Sequence, residues 1–322
     1  MNKIDFFEHE LPQTPIQKLS DLYSGNSIYM KRDDLLPFSF GGNKVRKAAE
    51  FYKEIQNSET DVIMTYGSNS SNHCRIIANM AASMGIPCHI ISPSENRTIL
   101  YNTSLVEKFG ATIETCPVNE VAATIEKRKK AYRDKGFKPY FIVGGGHGNP
   151  GTEAYVKAYK EIKRQESEKG IRFDYIFHAS GTGATQAGLV CGQLLDNDIF
   201  HKIVGISIAR EGKRGREVVL DSIKEYLRER FEQQYRDEDL IFEDQYRCGG
   251  YGNYTNKIQE LIDQVMLREG IPMDATYVGK AFWGMCEYLR VHEICGKNIL
   301  FLHTGGTPLY FDCLKIVERY GN

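Results

Sequence analysis

The chain has 322 residues, of which 41% are hydrophobic and 26% are charged, and its formal net charge is −1 at pH 7. This length allows about two domains of ~150 residues with a large buried core. The near-neutral charge argues against nucleic acid or an anionic membrane as a partner, and no apolar run approaches the ~18 residues that cross a bilayer.

The N-terminal residues and the cysteines indicate the cellular compartment in which the protein resides. Residues 1–5 lack the apolar core of a signal peptide, and the acidic Asp5 and Glu8 are unlike a transit peptide, so we expect a cytoplasmic protein. Eight cysteines are scattered along the chain without a C-x-x-C pair. This pattern predicts free thiols rather than a disulfide framework or a metal site.

Short apolar runs alternate with amphipathic helical segments along the chain. An extended run at 27–32 precedes a helix that opens near residue 43. Further strands are predicted at 61–66, 87–92, 111–116, 139–143, 173–179, 202–208 and 298–303. Further helices are predicted at 71–84, 97–109, 119–135, 152–169, 184–196, 214–234, 256–269 and 279–292. Strands that alternate with helices predict parallel sheets in an α/β protein.

The first predicted helix opens with the segment from Gly41 to Lys47. Asn43 is predicted to cap it, which places Lys44 in the first turn, beside the positive end of the helix dipole. Repulsion there would lower the pKa of Lys44 and leave more of its amine unprotonated, the form that Schiff-base chemistry needs. A solvated surface lysine after a glycine turn is the structural alternative.

Four predicted strands are followed by polar, glycine-rich segments, at 67–73, 144–149, 180–186 and 304–307. In open α/β sheets, ligands bind beyond the carboxyl ends of the strands. We therefore expect these four segments to contribute to one ligand site.

The segment at 180–186 predicts an anion site. It joins a strand to a helix, so it offers backbone N–H groups and a helix N-terminus, with hydroxyl groups from Thr182 and Thr185. It has neither the Gly-Lys-Ser/Thr of a P-loop nor the glycine spacing of a dinucleotide fingerprint. These features favour the monophosphate of a cofactor, and a tight turn without a ligand is the alternative.

Ser71 and Asn72 open another predicted helix, where a hydroxyl and an amide suit a carboxylate or phenolate ligand. Ordinary N-capping is the alternative. His73 is either structural or catalytic. The loop that contains Gly145 and His147 is interpreted as lining the substrate.

Two tyrosines are candidates for acid–base chemistry or ring stacking. Tyr251 lies in a glycine-flanked loop, and Tyr277 lies just ahead of a helix. A tyrosine fixed in a glycine-rich loop is a better candidate for such work than one on a helix face. Packing is the alternative for each of them.

These segments together resemble the D-cysteine desulfhydrase and aminocyclopropane-carboxylate deaminase family. The first match, to the family's cofactor-lysine segment, is at 31–34 and 41–47, and others follow at 71–75, 143–145, 180–188, 250–252, 277–281 and 303–306. The family's members are pyridoxal-phosphate enzymes with the tryptophan-synthase-β fold, also called fold type II. The resemblance implies two domains with open, twisted, parallel-rich sheets: a large cofactor-binding domain at 1–50 and 160–322, and a small domain at 51–159. It also implies a homodimer.

The resemblance implies a role for each candidate residue. Lys44 would bind the aldehyde of pyridoxal phosphate and move protons at the substrate α-carbon. Asn72 would face the cofactor's 3′ oxygen, and Ser71 the substrate carboxylate or a proton in transfer. Tyr251 and Tyr277 match tyrosines that flank the substrate. The other expected cofactor contacts are Asn43, Gly181, Thr182, Gly183, Ala184, Thr185 and Thr304, and the other expected substrate contacts are Asn72, His73, Gly145 and His147.

Two positions favour one reaction of the family over the other. Ring-opening deaminases resemble Tyr-Glu-Gly-Lys where this chain has Val278, and desulfhydrases resemble His-Thr-Gly-Gly where it has Thr304. A hydroxyl at the pyridine nitrogen leaves the cofactor a weaker electron sink, which is adequate for expelling a β leaving group. We therefore expect α,β-elimination on a small amino acid such as D-cysteine. Ring-opening deamination, β-replacement and a non-catalytic binding or sensor protein are the alternatives.

Overall fold

The structure, a computed structural model, describes residues 6–20, 25–94, 99–228 and 235–314. Its strands are β1 (Ile16–Lys18), β2 (Ser27–Arg32), β3 (Val62–Tyr66), β4 (Cys88–Pro93), β5 (Thr112–Cys116), β6 (Pro139–Ile142), β7 (Tyr175–Ser180), β8 (Lys202–Ser207), β9 (Ile241–Glu243) and β10 (Asn298–His303). Its α-helices are α1 (Asn43–Gln56), α2 (Asn72–Met84), α3 (Tyr101–Lys108), α4 (Val121–Asp134), α5 (Asn149–Lys169), α6 (Ala184–Leu195), α7 (Gly212–Leu227), α8 (Asn256–Glu269), α9 (Val278–Val291) and α10 (Thr307–Cys313).

The described strands form a larger and a smaller sheet. The larger sheet has the order β1-β2-β10-β7-β8-β9, and the smaller sheet has the order β5-β4-β3-β6. Strand β1 pairs antiparallel with β2, and the other pairings are parallel. The predicted α/β class with parallel-rich sheets is therefore confirmed.

Short elements account for most of what the sequence patterns did not predict. Strands β1 and β9 have three residues each and α10 has seven, too few to show a period. Helix α5 begins at Asn149 rather than 152, since Pro150 is tolerated in a first turn. The predicted helix at 97–109 is observed from Tyr101, and its residues 97–98 lie outside the described residues. So do residues 229–234 of the helix predicted at 214–234, which is observed as α7.

The central strands of the larger sheet are buried on both faces. In β7, Phe177 joins a core with α8 and α9, whereas the adjacent Ile176 joins a core with α5, α6 and α7. Phe301 and Leu300 of β10 divide between the same two cores. This alternation is what a parallel sheet covered by helices requires. None of the described helices has the length and hydropathy of a bilayer-crossing segment.

The smaller sheet is built from strands between residues 62 and 142 and has helices on both faces. Ile63 and Ile90 share a core with α1 and α2, and Met64 packs with Ile125 of α4 on the other face. The sheet falls within the predicted small domain at 51–159, whereas the larger sheet uses strands from both sides of that range. The domain boundaries themselves stay a prediction.

Candidate active site

A cavity of about 310 Å³ is lined by segments that follow strands of both sheets, namely β3, β6, β7, β8 and β10. Its lining brings together most of the predicted site residues: Asn43, Lys44, Ser71, Asn72, His73, Gly145, Gly181, Thr182, Thr185, Tyr251, Tyr277 and Thr304. Gly183, Ala184 and His147 are not in the lining. The convergence of these segments agrees with the rule that parallel sheets bind ligands at their carboxyl edge.

The start of α1 is fixed by a close approach of two backbones. Gly42 occupies the cap position with φ 105°, and a Cβ there would lie 2.7 Å from the carbonyl oxygen of Thr304. Asn43 is the first helical residue, and its Nδ2 donates to Oγ1 of Thr185 over 3.3 Å. The predicted cap at Asn43 is therefore wrong, because only glycine fits the cap position. Lys44 remains in the first turn.

The amine of Lys44 lies inside the protein. Its Nζ donates to the carbonyl oxygen of Gly145 over 3.0 Å. Burial lowers the pKa of Lys44 to about 8. The expected direction of the shift is therefore observed, but its largest cause is burial rather than the helix dipole. The surface-lysine alternative does not hold.

A second lysine shares the same carbonyl. Nζ of Lys47 lies 3.3 Å from the oxygen of Gly145, and the side chain is 1% exposed. Burial and the charge of Lys44 lower the pKa of Lys47 well below its ordinary value. Two neighbouring buried amines are costly to charge together, and this favours the neutral form of Lys47.

The orientation of the Asn72 amide is fixed by its neighbours. Its Oδ1 accepts from NH1 of Arg75 over 2.7 Å and from Nδ2 of Asn102 over 3.0 Å. The guanidinium is always a donor, and Asn102 uses its own Oδ1 to accept from Arg75 over 2.8 Å. Asn72 lines the cavity, so its Nδ2 remains as a donor there.

The hydrogen bonds of Ser71 and His73, the two neighbours of Asn72 in the chain, show which of their groups donate and which accept. Oγ of Ser71 accepts from the backbone N–H of Cys74 over 3.2 Å, so Ser71 caps α2 and still has a hydroxyl proton to donate. Oγ1 of Thr65 donates to the carbonyl of Ile142 and must accept from Nε2 of His73 over 2.8 Å. Burial lowers the pKa of His73 well below its ordinary value. His73 is therefore a neutral ring whose Nδ1 carries no proton.

The turn before α6 has the form predicted for an anion site. Gly183 caps the helix with φ 92°, and Gly181, Thr182 and Thr185 line the cavity. Nδ1 of His147 donates to the carbonyl oxygen of Thr182 over 2.9 Å. This contact favours a role for His147 in holding the turn, and its predicted substrate contact remains untested.

Tyr251 lines the cavity and is 39% exposed. Its hydroxyl lies 3.0 Å from Oγ of Ser68 and 2.8 Å from Oγ of Ser70, both after β3, and is hydrogen-bonded to the hydroxyl of Tyr277. Burial raises the pKa of Tyr277 well above its ordinary value, so this hydroxyl keeps its proton. The two tyrosines and two serines form a continuous chain of hydroxyl groups.

Thr304 and Val278 differ in what they face. Thr304 lines the cavity, and its carbonyl accepts from the N–H of Asn43 over 3.0 Å. Val278 is 0% exposed within the core of the larger sheet and is absent from the lining. Of these two side chains, a ligand in the cavity can therefore reach that of Thr304 but not that of Val278.

Sequence reasoning missed part of the lining, including Tyr66, Ala179, Ile208 and Arg210. The signal was present, because the segment after β8 follows a strand end just as the four chosen segments do. It was passed over because Ala209-Arg210 contains no glycine.

The donor set of this cavity fits pyridoxal phosphate. A buried amine, an amide donor at Asn72, the N-terminus of α6 and the hydroxyl of Thr304 would meet its aldehyde, 3′ oxygen, phosphate and ring nitrogen. Among the described residues of the lining, none is Asp or Glu. An anionic cofactor is thus compatible with every charged group there.

Comparison with known proteins agrees with this fit. Residues 7–305 match the family model described as pyridoxal-phosphate dependent enzyme. A protein of Yersinia enterocolitica named D-cysteine desulfhydrase is 32% identical over 313 residues, with 92% of each chain covered. A protein of Pyrococcus horikoshii, provisionally named 1-aminocyclopropane-1-carboxylate deaminase, is 34% identical over 307 residues, covering 91% of this chain and 89% of the other.

Solved structures resemble the fold. The structure of an ACC deaminase homologue superposes with a TM-score of 0.82 at 32% identity, covering 92% of this chain and 90% of the other. A T.th. threonine deaminase has a TM-score of 0.65 at 15% identity, covering 92% and 93% of the two chains, a likeness of fold alone. The predicted fold type is therefore confirmed.

Proposed function

Because the chain belongs to the family of pyridoxal-phosphate dependent enzymes, we propose that it is a lyase that catalyses α,β-elimination on a small amino acid. The first substrate to consider is D-cysteine, which with water would give pyruvate, ammonia and hydrogen sulfide. The relative named D-cysteine desulfhydrase supports this choice.

One observation carries the choice of reaction: the cavity offers Thr304 but no carboxylate among its described lining residues. A carboxylate would keep the pyridine nitrogen protonated and favour breaking a strained carbon–carbon bond. A hydroxyl keeps the pyridine nitrogen protonated to a lesser extent. Expulsion of a good leaving group from the β-carbon requires less electron withdrawal by the cofactor. Val278 lies in the core and does not supply the missing acid.

When bound, pyridoxal phosphate takes up the electron pair released at the substrate α-carbon. The protein would hold it with Lys44, Asn72, Thr304 and the turn at 181–185. Nζ of Lys44 is suited to accept the α-proton, since its pKa near 8 leaves part of the amine unprotonated at neutral pH.

The remaining residues bind substrate and supply protons. The hydroxyl of Ser71 and the N-terminus of α2 are placed to bind the substrate carboxylate. Tyr277 retains its proton and is hydrogen-bonded to Tyr251, so the pair can donate a proton to the departing sulfur. Ser68 and Ser70 extend this chain of hydroxyl groups beyond Tyr251.

The experiment is a panel of D- and L-amino acids, with keto acid and sulfide measured together. Lys44→Ala should lower turnover by at least about 10³-fold, because the amine that moves the proton is gone. Lys53→Ala is the matched control: it changes an exposed lysine on the same helix and should keep full activity. A fully active Lys44→Ala enzyme would refute the assignment.

Product analysis separates the alternatives. The provisionally named relative favours a second candidate, ring-opening deamination, which would release 2-oxobutanoate from 1-aminocyclopropane-1-carboxylate. A β-replacement enzyme would consume an added thiol without releasing pyruvate. A purified protein without a cofactor chromophore would indicate a binding or sensor protein.

We also propose the organisation that the family resemblance implies. The large domain would comprise 1–50 and 160–322, the small domain 51–159, and the enzyme would be a cytoplasmic homodimer. Tyr251 contacts serines that follow β3, which is what closure of one domain on the other would need. Light scattering of the purified protein tests the dimer.

A further inference from the structure

Lys280 is a buried cation outside the cavity lining. It lies in the first turn of α9, is 0% exposed, and directs its amine at three backbone carbonyls. Nζ donates to Ile208 over 3.1 Å, to Arg247 over 3.1 Å and to Gly250 over 2.8 Å. The charge of Asp274 attracts this amine, but the attraction is smaller than the cost of burial.

This arrangement is energetically unfavourable for the lysine itself. A cation in the first turn of a helix faces the positive end of the dipole, and burial lowers the pKa of Lys280 to about 8. An ammonium group has three N–H donors, and each one meets a carbonyl. All three of its donors are used, which indicates that the amine stabilises the backbone segments that it binds.

The three carbonyls belong to two segments of the cavity wall. Ile208 is itself in the lining, and Gly250 directly precedes Tyr251. The turn that carries Tyr251 has positive φ angles at Cys248 (55°), Gly249 (82°), Gly250 (137°) and Gly252 (78°). Glycines permit this path but do not enforce it, because they lose the most conformational freedom when ordered. The turn therefore needs an external restraint.

We propose that Lys280 is a positioning residue that acts through Tyr251. Its ammonium ties the turn at 247–252 to Ile208, and this holds the Tyr251 hydroxyl within reach of Ser68, Ser70 and Tyr277. The restraint is a property of the fold, and only its effect on turnover depends on the proposed function.

Amide hydrogen exchange of the cofactor-free protein tests the restraint directly. Lys280→Met keeps a long apolar side chain but removes all three donors, so exchange within 247–252 should become at least about tenfold faster. Lys202→Met removes an exposed lysine at the opposite end of β8 and should leave these rates unchanged. Unchanged exchange in Lys280→Met would overturn the proposal.

Lys280→Gln is the second variant, for the case in which Lys280→Met does not fold. Its amide offers two N–H donors on a shorter chain, so it satisfies at most two of the three carbonyls. Faster exchange within 247–252 would support the restraint, and wild-type exchange in a folded Lys280→Gln protein would overturn it.

Kinetics test whether the restraint acts through Tyr251. Lys280→Met should lower kcat about tenfold in the wild-type background and by less than about twofold in a Tyr251→Phe background, because the group being positioned is already lost. Fully multiplicative losses would overturn the link to Tyr251. Absence of turnover with every substrate would refute the proposed function instead, and would leave the exchange result standing.

Discussion

At the residue scale, the lowered pKa of Lys44 comes from where the fold places its amine. The side chain enters a cavity without acidic lining residues among those described and meets the carbonyl of Gly145 beside a second amine, Lys47. Burial in this cavity disfavours the charged form of Lys44 and outweighs the hydrogen bond with Lys47, which favours it. A local sequence pattern placed this lysine in the correct turn, but the burial that lowers its pKa is a tertiary property.

We expect capture of pyridoxal phosphate to depend on pH through Lys44. With a pKa of about 8, roughly one amine in ten is unprotonated at pH 7, against about one in three thousand for an ordinary lysine. Only the unprotonated amine reacts, so the rate of capture should rise nearly tenfold per pH unit and level off above pH 8. Mixing cofactor-free protein with pyridoxal phosphate and following absorbance measures this rate. A rate that kept rising tenfold per unit up to pH 10 would contradict the lowered pKa of Lys44.

Residue types at strand ends could be chosen from the sequence, but their orientations could not. Asn72 was a candidate because it opens a helix, yet its amide is oriented by Arg75 and by Asn102, which is thirty positions away. His147 was a candidate because it lies in a glycine-rich segment after a strand, and its contact with the carbonyl of Thr182 could not be read from that pattern. Orientation of this kind depends on contacts between distant segments.

At the element scale, the position of α1 depends on two glycine backbones in contact. Gly42 meets the segment at Thr304 and Gly305, where a Cβ on Gly305 would lie 2.6 Å from Cα of Gly42. The first helix of the chain is thereby seated on the segment that follows β10. The glycines were visible in the sequence, whereas the partner of each one was not.

Gly42→Ala should be far more damaging than an ordinary glycine substitution. The new Cβ would combine a left-handed φ with a backbone collision, and we expect a loss of about 3 kcal/mol in the free energy of unfolding. It should also displace Lys44 and weaken cofactor binding. Urea denaturation and cofactor titration measure both effects.

Gly136→Ala is the matched control, since Gly136 has φ 85° and nothing within 4 Å of an added Cβ. It should cost only about 1 kcal/mol, the strain of the backbone alone. Equal losses in the two variants would show that the contact with Thr304 is unimportant.

The presence of each long strand and helix was the most predictable part of the fold. The long helices were found because their apolar period repeats several times, as in α2, and the long strands because each is a continuous apolar run, as in β7. Strands β1 and β9 were missed because three residues show neither pattern, and they lie at the edges of the larger sheet, where Ile16 and Phe242 add to its core.

At the scale of the whole molecule, a buried ionic network joins segments that precede and follow the strands of the smaller sheet in the chain. Glu161 of α5 accepts hydrogen bonds from Lys31, from Arg46 and from the N–H of Thr14. Arg46 also binds Asp33 over 2.8 Å. The strands of the smaller sheet lie between Arg46 and Glu161 in the chain, so the network ties together the two ends of the segment that forms this sheet.

Glu161→Gln should cost about 3–5 kcal/mol of unfolding free energy at pH 7, because it leaves two buried cations poorly compensated. Glu168→Gln, at an exposed position of the same helix, should cost less than about 0.5 kcal/mol. Urea denaturation of both variants measures the difference. Equal stability of the two would contradict the role of the network.

The same network sets a dependence of stability on acid. Burial alone would raise the pKa of Glu161, but Arg46 and Lys31 outweigh it and hold the pKa below its ordinary value. The stabilisation is therefore complete above the unfolded value near pH 4.3 and is lost as pH falls through the lower folded value. The difference between wild type and Glu161→Gln should shrink below about pH 4.

The place of β10 between β2 and β7 has a consequence for the newborn chain. On the ribosome, β2 is complete at residue 32, but its parallel neighbour β10 does not exist until residues 298–303 have been translated, on the order of tens of seconds later. The smaller sheet, whose strands end at residue 142, can assemble in the meantime. The cofactor site is therefore complete only after β10 has inserted between β2 and β7. A polypeptide that is released before residue 303 would be inactive, however much of it had folded.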